Sequence, residues 1–149
     1  MSAPENLNKF ETLVSIMARL RGKGGCPWDR KQTPVSLRPY LLLECYEALE
    51  ALDEKDDEKL RDELGDLLLQ IVFQAQIASE AGEFTIEDVV NRINAKLVYR
   101  HPHIFGSAKA ASAEEVAHNW EELKKEEKGA GYSVIEGVPK EMPALGYSQ

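Results

Sequence analysis

Two acidic pairs at helical spacing, Glu44 with Glu47 and Glu63 with Asp66, stand either side of the polar bend Asp53-Glu54-Lys55-Asp56-Asp57. Residues three apart on a helix share a face, so each pair aims two carboxylates the same way. If the bend closes the stretch from Leu42 to Gln70 into an antiparallel hairpin, the four carboxylates converge. Ionised carboxylates repel, and gathering four costs several kcal/mol unless something compensates. A hard divalent cation is the compensator this chemistry points to. Asp66 adds weight: in sequence it lies among Leu64, Leu67, Leu68 and Leu69, where an unpaired charge is expensive, and no Lys or Arg occurs between Arg61 and Arg92.

An all-oxygen donor set favours Mg²⁺, with Mn²⁺ as a substitute. A di-iron bundle would show Glu-x-x-His on two helices, whereas all three histidines here lie outside the hairpin. Mg²⁺ keeps water and bridges phosphates, which directs attention to a nucleotide or another polyphosphate. The formal net charge of −8 repels bare nucleic acid and anionic membrane, so a small anion arriving with its metal fits better than either. Cys26 and Cys45 make no Cys-x-x-Cys, and no signal-peptide core or membrane-length apolar run is present. The expectation is a soluble protein of the reducing cytoplasm.

Hydrophobic periodicity predicts helices throughout. Leu7, Phe10, Leu13, Val14, Met17 and Leu20 recur at three and four, with Asn6 placed to cap. Residues 25–33 show no period and read as a loop, whose Trp28 anchors it to a helix more plausibly than it touches a ligand. Thr33-Pro34 is a helix start, with Pro39 marking a later alternative; Leu37, Leu41, Cys45, Ala48, Leu49 and Leu52 are the expected buried stripe. A third helix runs from about Asp57 to Ala81, and Leu64 to Phe73 is apolar almost all round, more than one small chain can cover. The expected fold is therefore all-α, helical hairpins forming a four-helix-bundle-like core completed by oligomerisation, as a homodimer or homotetramer.

Thr85 and Asp88 resemble a capping box opening a helix from Ile86 to about Tyr99, with Val89, Val90, Ile93 and Leu97 as its buried face and Arg92, Asn94 and Lys96 free for other work. Pro102 breaks it, leaving His101 and His103 to cap carbonyls or hold a subunit contact rather than to catalyse. Ser112 and Glu115 start a last helix to about Lys128, apolar only at Val116, Trp120 and Leu123. Residues 1–128 read as a single domain and 129–149 as a Gly- and Pro-containing tail.

Several segments, in this order, resemble the MazG-type nucleoside triphosphate pyrophosphohydrolases of the all-α superfamily: Gly25-Cys26-Pro27-Trp28-Asp29, Pro39-Tyr40-Leu41, Glu44-x-x-Glu47, Glu63-Leu64-Gly65-Asp66-Leu67-Leu68, Asn94-x-Lys96-Leu97, Arg100 to Gly106, and Trp120-Glu121. The resemblance implies Mg²⁺ ligation and catalysis by Glu44, Glu47, Glu63 and Asp66. It implies substrate contacts from Arg92, Asn94, Lys96 and Trp120, and water attack at the α-phosphorus of a nucleoside triphosphate. One position departs: the family's first motif usually reads Glu-Glu-x-x-Glu, and its first acid is Leu43 here. Two other readings remain open at this level: a pyrophosphohydrolase of a specialised nucleotide such as phosphoribosyl-ATP or dUTP, and a non-catalytic dimerisation module whose acids bind metal for stability.

Overall fold

A computed structural model describes residues 2–128 except Ala108 and Ala110; the expected tail, 129–149, lies outside the described residues. Among them there are seven helices and no strand, as an all-α chain requires. None of these helices is long and apolar enough to cross a membrane. The chain divides into two compact units, Met1–Val90 and a second from Asn91 onward.

In the first unit α4 (Asp57–Glu80) is central, with α3 (Arg38–Glu54) and α1 (Phe10–Arg21) packed on it. Lys59 pairs with Glu50 and Glu54 near the bend, and Gln74 Nε2 donates to the Pro34 carbonyl at the far end, so α3 and α4 run antiparallel. Met17, Leu37, Val72 and Phe73 form the fully buried core, flanked by Leu13, Leu69 and Ile86. Burying four such side chains stabilises the unit by roughly 1.5–3 kcal/mol each.

The bend folds as its residues dictate. Lys55 closes α3 in the left-handed region (φ 55°, ψ 37°), and Asp56 caps α4 by accepting from the Lys59 amide at 3.1 Å. A lysine there carries a backbone cost that glycine avoids. Lys55→Gly is therefore expected to stabilise the fold by about 0.5–1 kcal/mol, read as a raised denaturation midpoint; a lowered midpoint would contradict the turn.

Several boundaries differ from the periodicity. α1 begins at Phe10, not Leu7, and Lys9 rather than Asn6 occupies the cap position. Leu7 is 75% exposed and off the stripe, because the Asn6 carbonyl is engaged in a turn with the Lys9 amide. Within the expected loop, Pro27–Lys31 forms a short helix, α2. Five residues are too few to show a period, and Pro27 supplies the φ of a first helical position. Thr33 and Ser36 exchange hydrogen bonds around a single turn, and α3 proper waits until Arg38. A continuous helix from Pro34 would drive the Pro39 ring into the Val35 carbonyl.

The stripe on α3 also shifts. Leu49 and Leu52 are exposed, and the row that turns inward is Leu37, Leu41, Glu44, Cys45, Ala48 and Ala51, with Leu41, Glu44 and Cys45 half-buried. The leucines drew the sequence reading away from one alanine, Ala51, and an acid, Glu44. Outward stand Leu42, Tyr46 and Leu49 on α3 and Leu64, Leu68 and Ile71 on α4, each set spaced four and three.

α5 (Ile86–Arg100) opens with the expected capping box, Thr85 and Asp88 exchanging bonds of 2.9 and 3.2 Å. It buries no residue: Val90, Ile93 and Leu97 are exposed, because an amphipathic stripe marks a face seeking cover and does not supply the cover. In the second unit His101 leaves helical geometry, and Pro102–Phe105 forms α6, a single turn the sequence reading passed over. Ser112 Oγ accepts from the Glu115 amide at the start of α7 (Ala113–Lys128). Tyr99 donates to Glu126 at 2.9 Å and Arg100 grips Glu127 at 2.7 Å, joining the end of α5 to α7.

Candidate metal centre

Glu44 from α3 meets Glu63 and Asp66 from α4, with one carboxylate oxygen of each lying within 4.8 Å of the others. Glu47, one turn farther along α3 and half-buried, adds its charge at Glu44. Two cations of the hairpin are engaged with other acids, Lys59 with Glu50 and Glu54, Arg61 with Glu58. Burial pushes the Glu44 carboxyl above its usual range, and the charges of Asp66, Glu63 and Glu47 push it further, as does a hydrogen bond with Glu63. Without a cation the Glu44 carboxyl therefore gives up its proton less readily than a free glutamate does.

The burial argument belongs to Glu44 and not, as the sequence suggested, to Asp66. Asp66 is exposed, and so are Leu64 and Leu68 beside it. Neighbours along a helical sequence point in different directions, so an apolar run does not make an apolar environment. Crowding of the carboxylates adds to the burial of Glu44, and a cation would relieve both. A donor set made only of carboxylate oxygens fits a hard divalent ion such as Mg²⁺ or Mn²⁺. Leu43 is half-exposed and brings no carboxylate to this helix.

Arg92, Asn94 and Lys96 lie exposed on the part of α5 that belongs to the second unit. Trp120, on α7 of that unit, is half-buried: the Arg100 guanidinium covers its ring at 5.4 Å and His101 meets it edge-on at 4.9 Å. His101 Nδ1 lies 2.6 Å from the Leu97 carbonyl, the helix-end contact expected of it.

Two features escaped the sequence reading. Arg21 is the fastener of the first unit: it pairs with Glu80 at 2.8 Å, donates to the Asp29 and Gln32 carbonyls and covers the Phe73 ring. Nothing in the spacing of Arg21 announces partners so far along the chain. The second is the partner of Trp28: the sequence set Trp28 against a helix, and its ring meets Tyr40 of α3 edge-on at 5.8 Å. The four-residue step from Tyr40 to Glu44 was the available signal.

Comparison with known proteins places these features in a lineage. The MazG nucleotide pyrophosphohydrolase domain matches residues 32–105. A Thermotoga maritima protein named nucleoside triphosphate pyrophosphohydrolase/pyrophosphatase MazG is 58% identical over 120 residues, 80% of this chain and 46% of its own length. The Escherichia coli nucleoside triphosphate pyrophosphohydrolase is 44% identical over 142 residues, 93% of this chain and 54% of its own. The chain thus spans about half the length of these curated relatives. The crystal structure of a mazG-related protein from Thermotoga maritima superposes with a TM-score of 0.65 at 31% identity, covering 77% of this chain and 98% of that one.

Proposed function

The chain belongs to the MazG nucleotide pyrophosphohydrolase family, and from that premise we propose that it hydrolyses nucleoside triphosphates to monophosphate and pyrophosphate in the presence of Mg²⁺, with Mn²⁺ as a substitute. The convergence of Glu44, Glu63 and Asp66 is the observation that carries this reading. These three hold the cation and Glu47 completes the set. The chemistry Mg²⁺ supplies when bound is polarisation of the phosphate oxygens and an acidified water. A carboxylate of the set that is not engaged by the cation accepts the proton of the water attacking the α-phosphorus. The bond from that phosphorus to the bridging oxygen breaks, and pyrophosphate departs. Arg92 and Asn94 contact the substrate, Lys96 neutralises the leaving pyrophosphate, and Trp120 offers an aromatic contact to the base. The role that follows is clearance of surplus or non-standard nucleotides in the cytoplasm.

Incubation with each triphosphate and Mg²⁺, followed by resolution of the products, is expected to give the monophosphate and pyrophosphate. Orthophosphate with the diphosphate would rule the reaction out.

A second copy of the chain is the partner that the outward rows of α3 and α4 fit, as a homodimer or homotetramer. Leu42, Tyr46, Leu49, Leu64, Leu68 and Ile71 are large apolar side chains left open on two adjacent helices. Leu68→Asp is expected to lower the mass measured by light scattering to that of a single chain. An unchanged mass would remove this face from the interface.

A further inference from the structure

A polar side chain is buried on α4 one turn beyond the acids. Gln70 is only 8% exposed, and its Oε1 has no hydrogen-bond partner among the described residues. Buried amide oxygens are almost always paired, so one without a donor calls for an explanation in a water or an ion.

Glu63, Asp66 and Gln70 are spaced three and four on α4, so the amide continues the face that carries two of the three clustered carboxylates. Long side chains on a helix lean toward its N-terminus and cover the turn before their own. The turn before Gln70 is that of Asp66. Farther along, Gln74 reaches the Pro34 carbonyl, so Gln70 stands between the acidic cluster and the next contact of the hairpin.

The side chains nearby offer Oε1 little. An ionised carboxylate only accepts hydrogen bonds, as a carbonyl oxygen does. Lys59 and Arg61 are engaged with other acids. A water bound to a divalent cation is a donor, and Mg²⁺ keeps several waters when carboxylates hold it. One helical turn, about 5.4 Å, separates Gln70 from Asp66 along the axis, which suits an intervening water better than a direct Mg²⁺–oxygen bond of about 2.1 Å.

We propose that Gln70 is a positioning residue of the cation site: its amide oxygen accepts a hydrogen bond from a water in the shell of the divalent ion held at Glu44, Glu63 and Asp66. The assignment rests on the cation reading above and adds to it a fixed orientation for one of the ion's waters. Such outer contacts hold an ion's shell in place and so contribute to its affinity.

Titration with Mn²⁺ in the absence of any nucleotide, following the EPR signal of the free ion, tests it. Gln70→Met keeps an unbranched side chain and replaces the oxygen by a weak acceptor; Gln70→Glu keeps an oxygen. The methionine variant is expected to bind Mn²⁺ about 10- to 100-fold more weakly, and the glutamate variant to recover most of the loss. Without metal, Gln70→Met is expected to melt no lower than wild type, because it removes an oxygen that had no donor. A clearly lower metal-free Tm would show that Oε1 has a partner of its own and overturn the proposal, as would wild-type affinity for Mn²⁺ in that variant. A rise in the number of Mn²⁺-bound waters in Gln70→Met, read by water proton relaxation, would make Gln70 a direct ligand and also overturn it. Wild-type protein that binds no Mn²⁺ would overturn the cation reading itself, and the role of Gln70 with it.

Discussion

Asp66→Asn is expected to lower kcat by about a hundredfold or more, because it removes one negative charge from the set proposed to hold the cation while preserving the side chain's shape. Asp66 is exposed and packs little, so the substitution is expected to leave the stability of the fold unchanged within about 0.5 kcal/mol when no metal is added. Its charge is one of those that push the Glu44 carboxyl up, so the metal-free variant is relieved of some repulsion. The two effects separate in a pair of melting curves. Wild-type protein is expected to gain in Tm with millimolar Mg²⁺, by binding of the ion to the folded state alone. The variant is expected to start no lower and to gain less. Full turnover by the variant would remove Asp66 from the site; equal gains in Tm would remove it from the metal.

Arg21→Ala carries the largest expected loss of stability. Its side chain is only 8% exposed, and the substitution takes away a two-pronged pair with Glu80, two carbonyl contacts on the α2 segment and the cover of Phe73. Glu80 is 38% exposed and water replaces part of what it loses; the two carbonyls have no such ready substitute. A cost of about 2–4 kcal/mol follows, or a fall in Tm of roughly 5–15 °C. Arg21→Lys is expected to recover little, since a single ammonium cannot reach a carboxylate and two carbonyls in a planar fork. The hydrogen bond from Arg21 holds the Glu80 carboxyl below its usual range against the opposing effect of burial, helped by Gln76 and by the arginine's charge. A depressed carboxyl contributes stability above its unfolded pKa and loses it as pH falls through the folded one. Glu80→Gln is therefore expected to differ from wild type most near neutrality and to converge with it in acid. A constant gap across pH would show that the pair does not titrate with folding.

Secondary structure was legible where local chemistry decided it. The Thr85 and Asp88 box and the Ser112 start both sit where side-chain oxygens meet free amides, which needs only neighbours in sequence. Pro39 marked the later start that the third helix takes, whereas the second helix, opened by Pro27, was read as loop. What was not legible was orientation. The inward row of α3 includes Glu44 and Ala51, and a reading weighted by hydrophobicity turned Leu49 and Leu52 inward instead. The same weighting put Asp66 in an apolar setting that the helix does not give it. The acids themselves were found because three-residue spacing is a geometric statement about a helix, independent of what the helix packs on. The contacts of Arg21 and the partner of Trp28 were missed because they are chosen by tertiary structure.

α3 ends at Glu54 and α4 starts at Asp57, so the acids that face one another are joined by a single tight link. The entropy given up in bringing them together is correspondingly small, and contacts of such short range are made early as a chain folds. The acidic cluster therefore needs no more of the chain than this one hairpin to bring its three carboxylates together.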